Sequence, residues 1–105
     1  MIVARWHIEA RFGHKQEVID SLKRWHRDIG AKIGWSLDRV RITTGSVGAR
    51  EALVVAEITL DDLSQLDQTW RKLAEIEAHK SWSRELEPHT VSGSNFWEIY
   101  RVIEF

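Results

Sequence analysis

The stretch Ile2-Val3-Ala4-Arg5-Trp6-His7-Ile8-Glu9-Ala10-Arg11-Phe12-Gly13-His14-Lys15-Gln16-Glu17-Val18-Ile19-Asp20-Ser21-Leu22-Lys23-Arg24-Trp25 changes its period once, and that change decides the fold. Over residues 2–12, Ile2, Ala4, Trp6, Ile8, Ala10 and Phe12 share one side of an extended chain. Val3, Arg5, His7, Glu9 and Arg11 share the other. This alternation is that of a strand with one apolar face. Gly13-His14 breaks it. From Lys15 the spacing is helical: Val18, Leu22, Trp25 and Ile29 form a stripe, with Ile19 and His26 beside it. Glu17 suits the positive end of that helix, and Gly30 and Gly34 are stop signals.

The same reading extends outward. Residues 37–43 predict a second strand, with Val40 and Ile42 on one side and Arg39 and Arg41 on the other. Gly45-Ser46-Val47-Gly48 predicts a loop. Residues 52–60 predict a third strand, apolar on both sides except at Glu57 and Thr59, the mark of a central strand. Thr59 and Asp62 read as a capping box, with Ile58 and Leu63 as its hydrophobic staple. Leu63, Leu66, Trp70 and Leu73 mark a second helix, and a further helical piece over residues 80–86 carries Trp82 and Leu86 before Pro88 ends it. Residues 96–105 predict the last strand. The order β-α-β-β-α-β defines an α+β, ferredoxin-like sandwich. Two right-handed crossovers place two helices on one face of a four-stranded antiparallel sheet. At 105 residues the chain is read as a single domain, 1–105.

Composition excludes several classes of function. There is no cysteine, hence no disulfide, iron–sulfur cluster, thiolate zinc site or cysteine nucleophile; this suits a reducing compartment, and the expected location is cytoplasmic. No apolar run approaches the roughly 20 residues that span a bilayer, and no basic-then-apolar signal precedes the first strand, so no membrane partner is expected. Residues 1–50 hold ten Lys/Arg against five Asp/Glu, and residues 51–105 hold five against eleven. The basic residues are dispersed, so the halves are expected to neutralise each other and not to present a nucleic-acid face. No Gly-rich phosphate loop and no serine-nucleophile elbow is present. The five histidines, His7, His14, His26, His79 and His89, include no metal-binding spacing, so no metal or other cofactor is expected.

The sheet face away from the helices decides the assembly. The third and fourth strands carry apolar side chains on both sides, among them Leu53, Val55, Phe96 and Tyr100. Exposed apolar area of that size marks an interface. Arg5, His7, Glu9 and Arg11 leave that face mixed, as expected of two sheets packed together around a polar pocket.

The element order, the opening residues 1–25 and the turn Phe12-Gly13-His14-Lys15-Gln16-Glu17-Val18 resemble the dimeric α/β-barrel superfamily. Within it the chain is similar to antibiotic-biosynthesis-monooxygenase-like and stress-responsive barrel domains. Glu77-Ala78-His79-Lys80-Ser81-Trp82 resembles their His-plus-aromatic segment late in the second helical region. The resemblance implies a homodimer with its sheets face to face. It implies no single activity, because the superfamily spans cofactor-free oxygenases, haem-degrading enzymes, isomerases, dehydratases and non-catalytic proteins. In haem-degrading members a late histidine ligates iron, which would fall on His79, with Trp70 as the helix tryptophan. Their first-strand asparagine has no counterpart here, because Asn95 is the single asparagine.

Candidate site residues follow. His7, mid-strand on the polar side, is the candidate acid/base, because a neutral imidazole exchanges protons near pH 7. Its structural alternative is a place in an Arg/Glu ladder. Trp25 and Trp70 on the helix stripes, with Trp6, are expected in the core, and they are also candidate walls for a flat ligand. Trp35, Trp82 and Trp97 lie nearer element ends and read as interface anchors. His79 and Trp82 are candidate binding residues. Arg5 and Arg39, with Arg11 and Arg41, are candidates for gripping an anion, or for pairing with Glu9, Glu98 or Glu104. Three functions remain open: a small-molecule binder acting as a cofactor-free monooxygenase or isomerase on an apolar or aromatic compound, a non-catalytic homo-oligomer, and a haem protein.

Overall fold

The computed structural model describes every residue, Met1–Phe105. Strand β1 spans Ile2–Glu9, helix α1 Lys15–Asp28, strand β2 Val40–Thr44 and strand β3 Leu53–Leu60. Helices α2 (Leu63–Ala74) and α3 (Glu77–Leu86) follow, then strand β4 (Phe96–Arg101). The sheet order is β2-β3-β1-β4, with every neighbouring pair antiparallel. This is the expected ferredoxin-like order, and the helical piece expected at residues 80–86 is a full third helix in the second crossover, starting at Glu77. Glu75 and Ile76 separate it from α2, and Leu86 closes α3 ahead of a 3₁₀ turn containing Pro88.

Alternation along β1 sorts the side chains as the sequence predicts. Ile2, Ala4 and Ile8 are buried with Val54, Ala56, Ile58 and Leu60 of β3, and with Val18, Leu22 and Trp25 of α1. Burying each large aliphatic chain here contributes about 1.5–3 kcal/mol. The apolar run ends sooner than its sequence pattern. Ala10 makes an isolated bridge to Thr90, and Phe12 is fully exposed where the chain turns. Gly13 allows that turn with φ +83°. Gly45 is required for a different reason: a Cβ there would lie 1.7 Å from the Arg50 carbonyl oxygen.

The α2 cap lies three residues beyond the predicted one. Thr59 stays in β3 opposite Val3. Asp62 is the N-cap, accepting from Gln65 N–H at 2.8 Å, while the Gln65 side chain accepts from Asp61 N–H at 2.7 Å. A carboxylate followed three residues later by Gln performs the reciprocal capping. Leu63 is exposed and is no staple.

The tryptophans depart furthest from expectation. Trp35 and Trp82, read as interface anchors, are core residues at 5% exposure. Trp70, read as core, is 40% exposed. The reason is Thr69. It takes the inward position of α2 between Leu66 and Leu73, and its hydroxyl accepts from Trp35 Nε1 at 3.3 Å while donating to the Gln65 carbonyl. Trp70 is thereby turned to the flank.

Candidate functional site

All six indoles form one connected aromatic system on the helix side of the sheet. Trp6 stacks on Trp97 across the β1–β4 pair, with centroids 5.6 Å apart and planes 3° apart. It also meets Trp82 at 5.6 Å and Trp25 at 6.5 Å. Trp25 continues the system to Trp35, and Trp97 continues it to Trp70. Buried indole N–H groups need acceptors. Trp25 donates to His79 Nδ1 at 2.9 Å, and Trp82 donates to the Ser21 carbonyl at 3.0 Å. The Trp25 bond requires a neutral His79 whose proton sits on Nε2. Burial pushes the His79 pKa below the ordinary imidazole range, which favours that form.

A cleft of about 270 Å³ opens beside this system, between α3, the segment after it and Trp6 of β1. Trp6, Trp82, Leu86 and Val91 supply its apolar wall. Ser83, Glu87, Thr90, Ser92 and Asn95 supply polar groups around it. A flat apolar body can lie on the indoles while its polar edge meets hydroxyl, amide or carboxylate groups.

The opposite sheet face carries His7. The register sets His7 between Val55 and Phe96, and Arg5 between Glu57 and Glu98. His7 is buried, stacked on Phe96 at 4.3 Å with planes 4° apart. Its Nε2 lies 2.6 Å from Glu98 Oε1, and Nδ1 has no partner. Tyr100 donates to the other Glu98 oxygen at 2.9 Å, and this bond pushes the Tyr100 pKa up. Arg5 lies 3.5 Å from Glu57 and over the Tyr100 ring, and Arg41 holds the other Glu57 oxygen at 2.8 Å. Chains of carboxylates therefore tie this face together.

The structure thus brings Trp25, His79 and Trp82 together, with Trp70 at the rim of the same system. His7 and Arg5 lie on the other face of the sheet. Arg39 joins neither group: it sits in a 3₁₀ turn before β2 and faces Asp61 at 3.6 Å. Arg11 donates to the Thr90 carbonyl. The predicted four-arginine convergence reduces to Arg5 and Arg41, and their partner is Glu57, a residue outside the predicted set of acids. No group of three or more His, Cys, Asp or Glu side chains converges on one point. His14 and His89 meet as a pair, Nδ1 to Nδ1, at 2.9 Å.

His26 was legible only as a neighbour of the α1 apolar stripe. It is 4% exposed, neither ring nitrogen has a partner, and burial lowers its pKa to about 4. The signal in the sequence was a histidine next to Trp25 on an amphipathic helix, and nothing distinguished it from a helix-surface residue.

No protein-family model matches this sequence, and no curated protein sequence matches it significantly. Solved structures do match. A NIPSNAP family protein from Agrobacterium tumefaciens superposes with TM-score 0.80 at 20% identity, covering 99% of this chain and 94% of that one. A NIPSNAP domain protein from Burkholderia xenovorans gives TM-score 0.71 at 18% identity, covering 100% and 97%. An antibiotic biosynthesis monooxygenase gives 0.70 at 9% identity, covering 99% and 100%. The chain has the NIPSNAP and antibiotic biosynthesis monooxygenase fold. At these identities the likeness concerns the fold, so any activity has to be argued from the residues. No helix of this fold is long and apolar enough here to cross a membrane.

Proposed function

We propose that the chain is a small-molecule-binding domain of the monooxygenase-like type, acting as a homodimer, whose ligand is flat and largely apolar. The cleft beside Trp6 and Trp82 carries this reading, because it joins an indole wall to a ring of polar groups. The chemistry we assign is removal of a proton from an activated carbon of an aromatic compound. Cofactor-free oxygenation and isomerisation both begin with that step. Glu87 is the carboxylate inside the cleft. His7, beside Glu98 on the opposite sheet face, does not reach this cleft and is the acid/base candidate only for a ligand enclosed between two sheets of a dimer.

The open sheet face supports the homodimer. Phe96 and Tyr100 of β4 are large side chains left exposed on this face, and the Arg5 and Arg41 charges there are held by Glu57. A purely structural dimer is favoured by one observation: His7 is stacked on Phe96 and lies against the Glu98 carboxylate, as an interface residue would. Haem is the reading with least support. His79 commits Nδ1 to Trp25, and β1 offers no asparagine.

The test is native mass spectrometry of freshly purified protein, followed by titration with 1-naphthol read by tryptophan fluorescence. Val91→Trp, which fills the cleft from an exposed position, is expected to weaken binding at least tenfold. Undiminished binding by that variant, or no binding to the native chain, would sink the cleft assignment. Sedimentation showing only monomer at micromolar concentration would remove the homodimer.

A further inference from the structure

A second groove lies on the other side of α1, against the edge strand β2. The helix covers only part of the inner face of β2, so Val40 and Ile42 stay half-buried. With Leu37, which is largely exposed, and the ring of His26, they wall a cavity of about 450 Å³. A second cavity of about 350 Å³ adjoins it, sharing His26, Arg27 and Leu37 and reaching Trp35. The rim belongs to Lys23 and Arg27, one helical turn apart.

Two properties set this groove apart from an ordinary surface depression. First, Lys23 and Arg27 have no carboxylate partner, whereas Arg24 between them is paired with Glu85 and most other arginines are likewise paired. Two unpaired cations beside an apolar wall raise the local affinity for an anion. Second, His26 behind them is almost fully buried with both nitrogens unmet. A buried polar atom without a partner is a cost that some other feature of a structure normally removes. The imidazole lines both cavities while its nitrogens are covered, so it shows them its carbon edge. A half-turn about Cβ–Cγ exchanges carbon and nitrogen positions and presents a ring N–H.

We propose that this groove binds a small apolar carboxylate. Its hydrocarbon or aryl body lies on Leu37, Val40 and Ile42, its carboxylate meets Lys23 and Arg27, and His26 donates a hydrogen bond from the ring. The site is separate from the Trp6–Trp82 cleft and does not depend on it.

The experiment is titration of the full chain with 2-naphthoate, followed residue by residue in ¹H–¹⁵N NMR, with neutral 2-naphthalenemethanol as the comparison. The expected result is amide shifts at residues 23–27, Val40 and Ile42, and a dissociation constant at least tenfold lower for the carboxylate. The double variant Lys23→Glu/Arg27→Glu, both surface positions, is expected to lose at least tenfold in affinity with an unchanged circular dichroism spectrum. His26→Phe is expected to lose severalfold. Equal affinity for the alcohol, shifts confined to Trp82 and Val91, or a groove made inaccessible by a second copy of the chain would each overturn the proposal.

Discussion

Two neighbouring cross-strand pairs, Trp6–Trp97 and His7–Phe96, show how one sheet makes two different surfaces. Both pairs join β1 to β4, and both stack with nearly parallel planes. They point to opposite sides. The Trp6 side is closed by three helices, and the indole N–H groups of Trp25, Trp82 and Trp35 there are matched to His79, Ser21 and Thr69, with His26 the exception. The His7 side is closed by nothing within the chain, and its polar groups are charges tied to Glu57 and Glu98. Buried hydrogen bonds to fixed acceptors specify one packing, whereas partly exposed ion pairs such as Arg41–Glu57 contribute less and leave the face free to meet a partner.

The largest effect expected from this contrast is on Trp25. Trp25→Ala removes the indole at the centre of the helix-side system and is expected to cost about 3–5 kcal/mol in urea unfolding. Phe96→Ala on the open face is expected to cost the monomer about 1 kcal/mol or less. Similar losses at the two positions would end the distinction.

His26 gives the next effect, with a definite sign. Its pKa is depressed to about 4 by burial, so the unfolded chain binds the proton more tightly. The stability tied to a neutral His26 is complete above about pH 6.5 and is lost as pH falls toward 4, amounting to about 3 kcal/mol. His26→Leu is expected to flatten that part of the stability–pH curve. An unaltered slope in the variant would show that His26 does not carry the dependence.

His79→Leu leaves the Trp25 N–H buried without an acceptor, at an expected cost of about 1–3 kcal/mol. Thermal unfolding should show this loss while far-ultraviolet circular dichroism stays native. The smallest effect belongs to the open face: Arg41→Ala breaks its contact with Glu57 and is expected to change stability by about 1 kcal/mol or less, and by less again in high salt. A larger change would mean that the open face is as tightly specified as the helix side.

Much of the fold was legible because its signals are local. The period change at Gly13, the doubly apolar β3 and the strand–helix order need only neighbours in sequence. The candidate site was legible in part. Trp25, Trp82 and His79 were singled out from stripe and segment patterns, and they meet in space. Trp70 and Trp35 exchanged roles because Thr69 offers a hydroxyl to an indole 34 residues away. Helical spacing alone cannot distinguish a residue that faces the core from its neighbour on the flank when both fit the stripe. Arg39 misled for a related reason: two-residue alternation continued on paper into what is a 3₁₀ turn.

The six tryptophans mark where sequence stops and tertiary structure takes over. By itself the sequence determined that the chain is α+β, that one sheet face is apolar throughout, and that its aromatic residues outnumber the needs of a small core. Those properties depend on side-chain period and hydrophobicity, which act over a few residues. Only the tertiary structure decided that all six indoles join, that the cleft opens beside Trp6 and Trp82, and that His26 is buried without a partner beside unpaired Lys23 and Arg27. Each of these depends on which distant acceptor, wall or counter-charge comes within a few ångströms, and that is set when the crossovers fold back onto the sheet.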